Sequence, residues 1–189
     1  RSEVPTRYQW DLKDLYVDEA AWVVAKQELV ESLPALGAWQ GKLGASAGSL
    51  LDGMTAWAQA SRRVERLYAY AFQLYDQDTR VGRNLQMQQE MSQVYSSFQS
   101  TTSFMRPEIL ALGRDRIDAY LAAEPKLGQY RMFFDDILRA APHTLTPAEE
   151  KVYARMAVLG EAGGTLQSVF RSADLPFPEV TFSTGDKVR

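Results

Sequence analysis

Small and apolar side chains recur in steps of three and four through the middle of the chain, at Leu50, Met54, Trp57, Ser61, Val64, Tyr68, Ala71 and Tyr75. At roughly 100° per residue these positions stack on one stripe, so the spacing predicts a long amphipathic helix with that stripe turned to a core. Ser46 precedes it as a cap, because a short side-chain oxygen accepts from amides that the first turn leaves unpaired. The polar run Asp76-Gln77-Asp78-Thr79 interrupts the rhythm, which resumes with Met87, Met91, Val94, Phe98, Thr101 and Met105. Two long helices joined by a short polar turn are expected to pack as an antiparallel hairpin. Methionine fills irregular gaps well, so core packing is the expected use of the methionine stripe.

The flanking pattern is less regular. Residues 1–16 read as an extended lead-in, with Tyr8, Trp10 and Tyr16 expected to clamp it to the core. Asp18 is placed to cap a helix running to about residue 33, and Pro34 and Gly37 punctuate its exit. Gly41-Lys42-Leu43-Gly44 is a second interruption. Pro107 is expected to kink or end the second long helix, since proline lacks the amide donor and crowds the preceding turn. Shorter helices are expected over residues 114–123 and 126–140. Thr146-Pro147-Ala148-Glu149 is a start signal for a helix to about residue 160, with a capping threonine, proline at the first position and glutamate reaching back. Gly163-Gly164 is expected to break that helix before another over 165–173. Glu179-Val180-Thr181-Phe182-Ser183 alternates like a strand, Thr184-Gly185-Asp186 is a turn, and Lys187-Val188-Arg189 begins a return strand. The expected fold is all-α: a long antiparallel hairpin plus shorter helices. Its expected parts are the lead-in 1–16, a helical domain 17–175, and the start of a truncated β-hairpin at 176–189.

Composition narrows the chemistry. With 24 acidic and 21 basic side chains spread along 189 residues, the net charge of −3 offers no footprint for a phosphate backbone, and nucleic acid is not an expected partner. The apolar run Ala20-Ala21-Trp22-Val23-Val24-Ala25 is far short of the roughly 18–20 residues of a membrane helix. The opening Arg1-Ser2-Glu3-Val4-Pro5 has no initiator methionine and reads as a trimmed start. Cysteine is absent, which removes disulfides, thiolate nucleophiles and sulfur-based zinc sites, and is compatible with a reducing, cytoplasmic location.

The single histidine, His143, cannot build a His-Glu-x-x-His zinc helix or paired Glu-x-x-His motifs, and no Gly-x-Ser-x-Gly elbow exists to use it in a triad. It is expected to fix a turn after Ala141-Pro142. Neighbouring carboxylates at Asp135-Asp136 and Glu149-Glu150 diverge by about 100° on a helix, so they do not face a common substrate. Arg62, Arg63 and Arg66, interrupted by Glu65, are expected to form a solvated face, and Gly163-Gly164 lacks the lysine and spacing of a phosphate loop. No catalytic or metal-binding residue is therefore expected in this chain.

Several local patterns, in order, resemble the N-terminal region of the oligoendopeptidase F family of thimet-type zinc oligopeptidases. They are Trp10-Asp11-Leu12-Lys13-Asp14-Leu15-Tyr16 followed by Trp22, then Leu67-Tyr68-Ala69-Tyr70, and Phe104-Met105-Arg106-Pro107-Glu108-Ile109-Leu110. Leu127, Tyr130, Ile137 and Arg139 follow, with the run His143-Thr144-Leu145-Thr146-Pro147-Ala148-Glu149-Glu150 and finally Phe177-Pro178-Glu179-Val180. The resemblance implies a parent enzyme that cleaves short peptides inside a helical channel. Its zinc ligands and general-base glutamate would lie in a C-terminal part that no motif here matches. It also implies that these helices form a channel wall, that no zinc is bound by this chain, and that its natural partner is the C-terminal catalytic part. Which side chains line the channel is not indicated, and an apolar face left by that missing part would favour self-association. The competing class is an independent helical module that binds a partner along the Met87, Met91 and Met105 side.

Overall fold

In the computed structural model, which describes residues 5, 10–78, 80–143, 163, 164, 167, 170, 178–185, 187 and 188, the first two helices start where short polar side chains can cap them. The Asp18 carboxylate accepts from the Ala21 amide at 2.8 Å and begins α1, Glu19–Gly37. Ser46 Oγ accepts from the Ser49 amide at 3.0 Å and begins α2, Ala47–Gln77. The polar break then leads into α3, Gly82–Thr102, and the Asn84 side-chain amide donates to the Leu74 carbonyl at 2.8 Å across the turn. Two further helices of this part follow, α4, Met105–Ala123, and α5, Arg131–Ala140. The fold is all-α, with the long α2/α3 hairpin at its centre.

Two prolines act differently from expectation. Pro34 lies inside α1, whose last turn carries the buried Leu33 and Leu36 on either side of it. Pro107 does not end α3, which stops at Thr102. It stands in the first turn of α4, where its missing amide would have had no helical partner. Gly113 then takes φ +74° and ψ 169° and breaks the helical path within α4, so a fresh helical run does begin at Arg114. Residues 125–130 form a 3-10 turn, Pro125–Tyr130, and the α-helix proper starts at Arg131 rather than at Lys126.

The chain divides into two compact units, Arg1–Ala141 and Pro142–Arg189. In the first, α1 packs against both α2 and α3, and Trp22, Leu29, Leu67, Met87 and Met91 fill the core between them. A second core joins Leu43, Leu50 and Met54 to Ile109, Ile117, Leu127 and Phe134 from α4, the 3-10 turn and α5. Trp57 packs against both cores. Met87, Met91 and Met105 are all buried, as expected of gap-filling core residues, so they offer no side to a partner.

The α2 stripe is wider than a single line. Leu50, Met54, Val64 and Ala71 are buried, but Ala60, Leu67 and Tyr70 join them while Tyr68 is 37% exposed and Trp57, Ser61 and Tyr75 are half-buried. The cause is that α2 is flanked by α1 as well as α3, which buries a second ridge.

The lead-in is fixed from residue 12 onward. Leu12–Asp14 form a 3-10 turn, and Tyr16 meets Tyr70 edge-on at 5.5 Å. Arg66 donates from Nη2 to the Leu15 and Asp14 carbonyls at 2.7 and 3.1 Å and lies 5.4 Å from the Tyr16 ring centre. That arginine is a staple rather than part of a solvated face. Trp10, expected as a clamp, is 56% exposed; Tyr8 lies outside the described residues.

A charged network ties α1 to α3. Glu90 accepts from Lys26, from Arg83 at 3.1 Å and from Gln86 at 3.0 Å, while Arg83 also reaches Glu19 at 2.6 Å. Burial alone would push the Glu90 carboxyl up, but the Lys26 and Arg83 bonds outweigh it and hold the group below its ordinary value of 4.5. A carboxyl depressed in the folded state stabilises fully above that ordinary value, and the contribution is lost as pH falls through the lower folded value. Glu90→Gln is therefore expected to lower stability by about 1 kcal/mol at neutral pH, about 2–4 °C in Tm. The variant should approach the parent as pH falls below 4.5 and through the lower folded value, as calorimetry over a pH series would record.

In the second unit β1, Val180–Thr181, pairs antiparallel with β2, Lys187–Val188, in the register Val180 to Val188 and Thr181 to Lys187. Gly185 supplies φ +86° in the connecting turn, its amide donates to the Phe182 carbonyl at 2.9 Å, and Lys187 pairs with Glu179 at 2.7 Å. Gly163 and Gly164, expected as a break, are helical, since glycine costs only about 1 kcal/mol in a helix. The helix expected to run to residue 160 lies outside the described residues, as does most of that expected over 165–173.

Candidate functional site

The residues that drew attention in the sequence do not converge. His143 ends a 3-10 turn, Ala141–His143, immediately after α5, and residues 144–150 of its run lie outside the described residues. Asp135 pairs with Arg114, whereas Asp136 pairs with Arg139 at 2.6 Å, so the adjacent carboxylates serve separate arginines. Arg63 reaches Glu28 at 3.7 Å and Arg62 is exposed. Among the described residues no group of three histidine, cysteine, aspartate or glutamate side chains is placed to hold a metal ion. The Asp78, Asp135, Asp136 and Glu90 carboxylates each face an arginine or lysine. These residues do not fit zinc, which takes deprotonated, converging donors.

What the fold does build is a groove on the α2/α3 hairpin. The α1 contacts fall on one face, through Arg63 and Leu67 of α2 and Arg83 and Glu90 of α3. About half a helical turn away, Ser61, Glu65 and Tyr68 of α2 confront Ser92, Tyr95 and Gln99 of α3. One lobe of about 510 Å³ runs from Glu65 and Tyr95 down to Trp57, Arg106 and Phe133. A neighbouring lobe of about 490 Å³ shares Glu65 and Tyr95 and continues to Tyr68 and Ser92.

Two aromatic platforms floor the groove. Tyr68 stacks on Phe72 with ring centres 3.7 Å apart and leans toward Tyr95 at 6.0 Å. Trp57 meets Phe133 at 4.9 Å. Tyr68 and Tyr95 remain 37% and 41% exposed. Neither Glu65 nor Arg106 has an ion pair or side-chain hydrogen bond among the described residues, although both line the larger lobe. The spacing in the sequence places Trp57, Ser61 and Tyr68 on the buried stripe. The signal that separates them is the parallel ridge Ala60, Val64, Leu67 and Ala71, which is uniformly apolar while the groove ridge carries Ser61 and Glu65.

Comparison with known proteins places this architecture. A family model described as Oligopeptidase F matches residues 108–177. The chain is 32% identical over 188 residues to group B oligopeptidase PepB of Streptococcus agalactiae, an alignment covering 100% of this chain and 31% of that protein. It is 31% identical over 188 residues to oligopeptidase PepF of Bacillus subtilis, covering 99% of this chain and 28% of that one. A crystal structure described as that of a peptidase from Chlamydophila abortus superposes with a TM-score of 0.72 at 28% identity, over 99% of this chain and 32% of that chain. The chain thus spans about a third of the length of these relatives. Matched from end to end by one part of such proteins, the chain belongs to the oligoendopeptidase F family and corresponds to its N-terminal region.

Proposed function

We propose that this chain is the channel-wall portion of a cytoplasmic zinc metalloendopeptidase that hydrolyses short peptides, and that it is non-catalytic by itself. The observation that carries this reading is the end-to-end match to proteins named as oligopeptidases, of which the chain spans only about a third. The single histidine and the dispersed, arginine-paired carboxylates support placing zinc and the general base in the part beyond that third. In this reading the C-terminal catalytic part is the chain's partner, and the helices restrict entry to small, unfolded peptides.

The test is to express the 189 residues joined to their native downstream sequence and follow an internally quenched peptide. Cleavage should be abolished by a zinc chelator and restored by added zinc, and the 189-residue chain alone should give none. Cleavage that survives the chelator, or a downstream sequence without His-Glu-x-x-His, would overturn the reading.

A further inference from the structure

We infer that the α2/α3 groove is a binding subsite for a short, extended, free-ended peptide, with its amino end at Glu65 between Tyr68 and Tyr95 and its carboxylate at Arg106. The inference rests on the proposed function for the ligand's class, and on the groove itself for its placement.

Length is the first argument. From Trp57 to Tyr68 the α2 ridge climbs eleven residues, about 16 Å at the helical rise. An extended chain advances about 3.3 Å per residue, so the groove accommodates about five residues. Charge is the second. A peptide with free ends is a zwitterion, and the larger lobe presents one carboxylate and one guanidinium, neither of them neutralised within the described chain. Because both line the same lobe, the carboxylate and the guanidinium are available to the two ends of one ligand.

Surface chemistry is the third. The aromatic platforms at Tyr68 and at Trp57 give apolar side chains a place to lie, and Gln99 between them has no side-chain hydrogen bond of its own to give up before pairing with a peptide amide. Lobes of about 510 and 490 Å³ fall in the range of small-ligand sites. A second copy of the chain would instead need a continuous patch of about 800 Å² per partner.

The experiment titrates the 189-residue chain with the free-ended pentapeptide Ala-Ala-Phe-Ala-Ala, and with its N-acetylated and C-amidated forms, by calorimetry. The free-ended peptide should bind with a Kd in the millimolar range or tighter. Acetylation should weaken binding about two- to fivefold in the parent and have no further effect in Glu65→Gln. Amidation should do the same in the parent and have no further effect in Arg106→Gln. Both side chains are exposed, so the variants should retain the parent's circular dichroism.

Absent binding, equal affinity for free and capped peptides, or variants that keep full sensitivity to capping would overturn the inference. So would concentration-dependent sedimentation that Glu65→Gln abolishes, which would assign the groove to a second copy. No peptide binding here beside chelator-sensitive cleavage by the longer protein overturns the groove and leaves the proposed function standing. Charge-dependent binding here without such cleavage does the reverse.

Discussion

Trp22→Ala is expected to destabilise the chain by about 3–5 kcal/mol, the range for truncating a fully buried aromatic. Trp22 is 0% exposed and fills the space between α1 and the α2/α3 hairpin, among Leu29, Leu67 and Met91. Its indole Nε1 donates to the Leu67 carbonyl at 3.0 Å, and Lys26 Nζ lies 5.0 Å from the ring centre. Truncation removes apolar burial, leaves a cavity that helices on both sides cannot readily close, and frees Lys26 from its cation–π contact. Trp22→Phe keeps most of the burial and loses the donor, so it should cost distinctly less than alanine. Urea unfolding followed by circular dichroism should show the midpoint falling with little change in slope. A loss under 1 kcal/mol for Trp22→Ala would mean that α1 is not integral to the core.

Gly113→Ala carries the second large effect, about 1–3 kcal/mol, and for a different reason. A φ of +74° with ψ 169° belongs to a region that is essentially reserved for glycine. Nothing lies within 4 Å of where a β-carbon would be, so the cost is purely one of backbone conformation. The decisive comparison is D-alanine at the same position, introduced by semisynthesis. A D-residue is at ease at positive φ and restricts the unfolded chain, so it should be neutral or stabilising by up to about 1 kcal/mol. Equal stability of the L- and D-alanine forms would show that the break at Gly113 is not required.

Much of the fold is legible in the sequence because its strongest determinants are local. Asp18 and Ser46 cap the helices they precede, and the polar run after Tyr75 turns the chain as its composition suggests. The buried Met87 and Met91 follow from a stripe with the right period. Pro107 was ambiguous because a proline is tolerated in a first turn and disruptive further in; the boundary at residues 103–104 decides between these, and no residue there advertises it. The staple at Arg66 was illegible for another reason, since its acceptors are backbone carbonyls some fifty residues away. The candidate site divides in the same way. One histidine is enough to argue against a zinc helix in this chain, whereas the groove joins Glu65 to Arg106 only because the hairpin folds back on itself. Spacing along one helix cannot tell Tyr68 from Leu67 until the neighbours on each side are known.

The sharing of Trp57 between two cores has a mechanical consequence. At 31 residues α2 is a rod about 46 Å long, gripped near one end by α4 and α5 and near the other by α1 and α3. A tilt of about 5° at the first grip carries the far end through about 4 Å, more than close-packed side chains can absorb. Loosening around Phe134 would therefore be felt around Leu67 without any residue between them changing its partners. The groove lies along this same rod, so its shape is set by how firmly both ends are held.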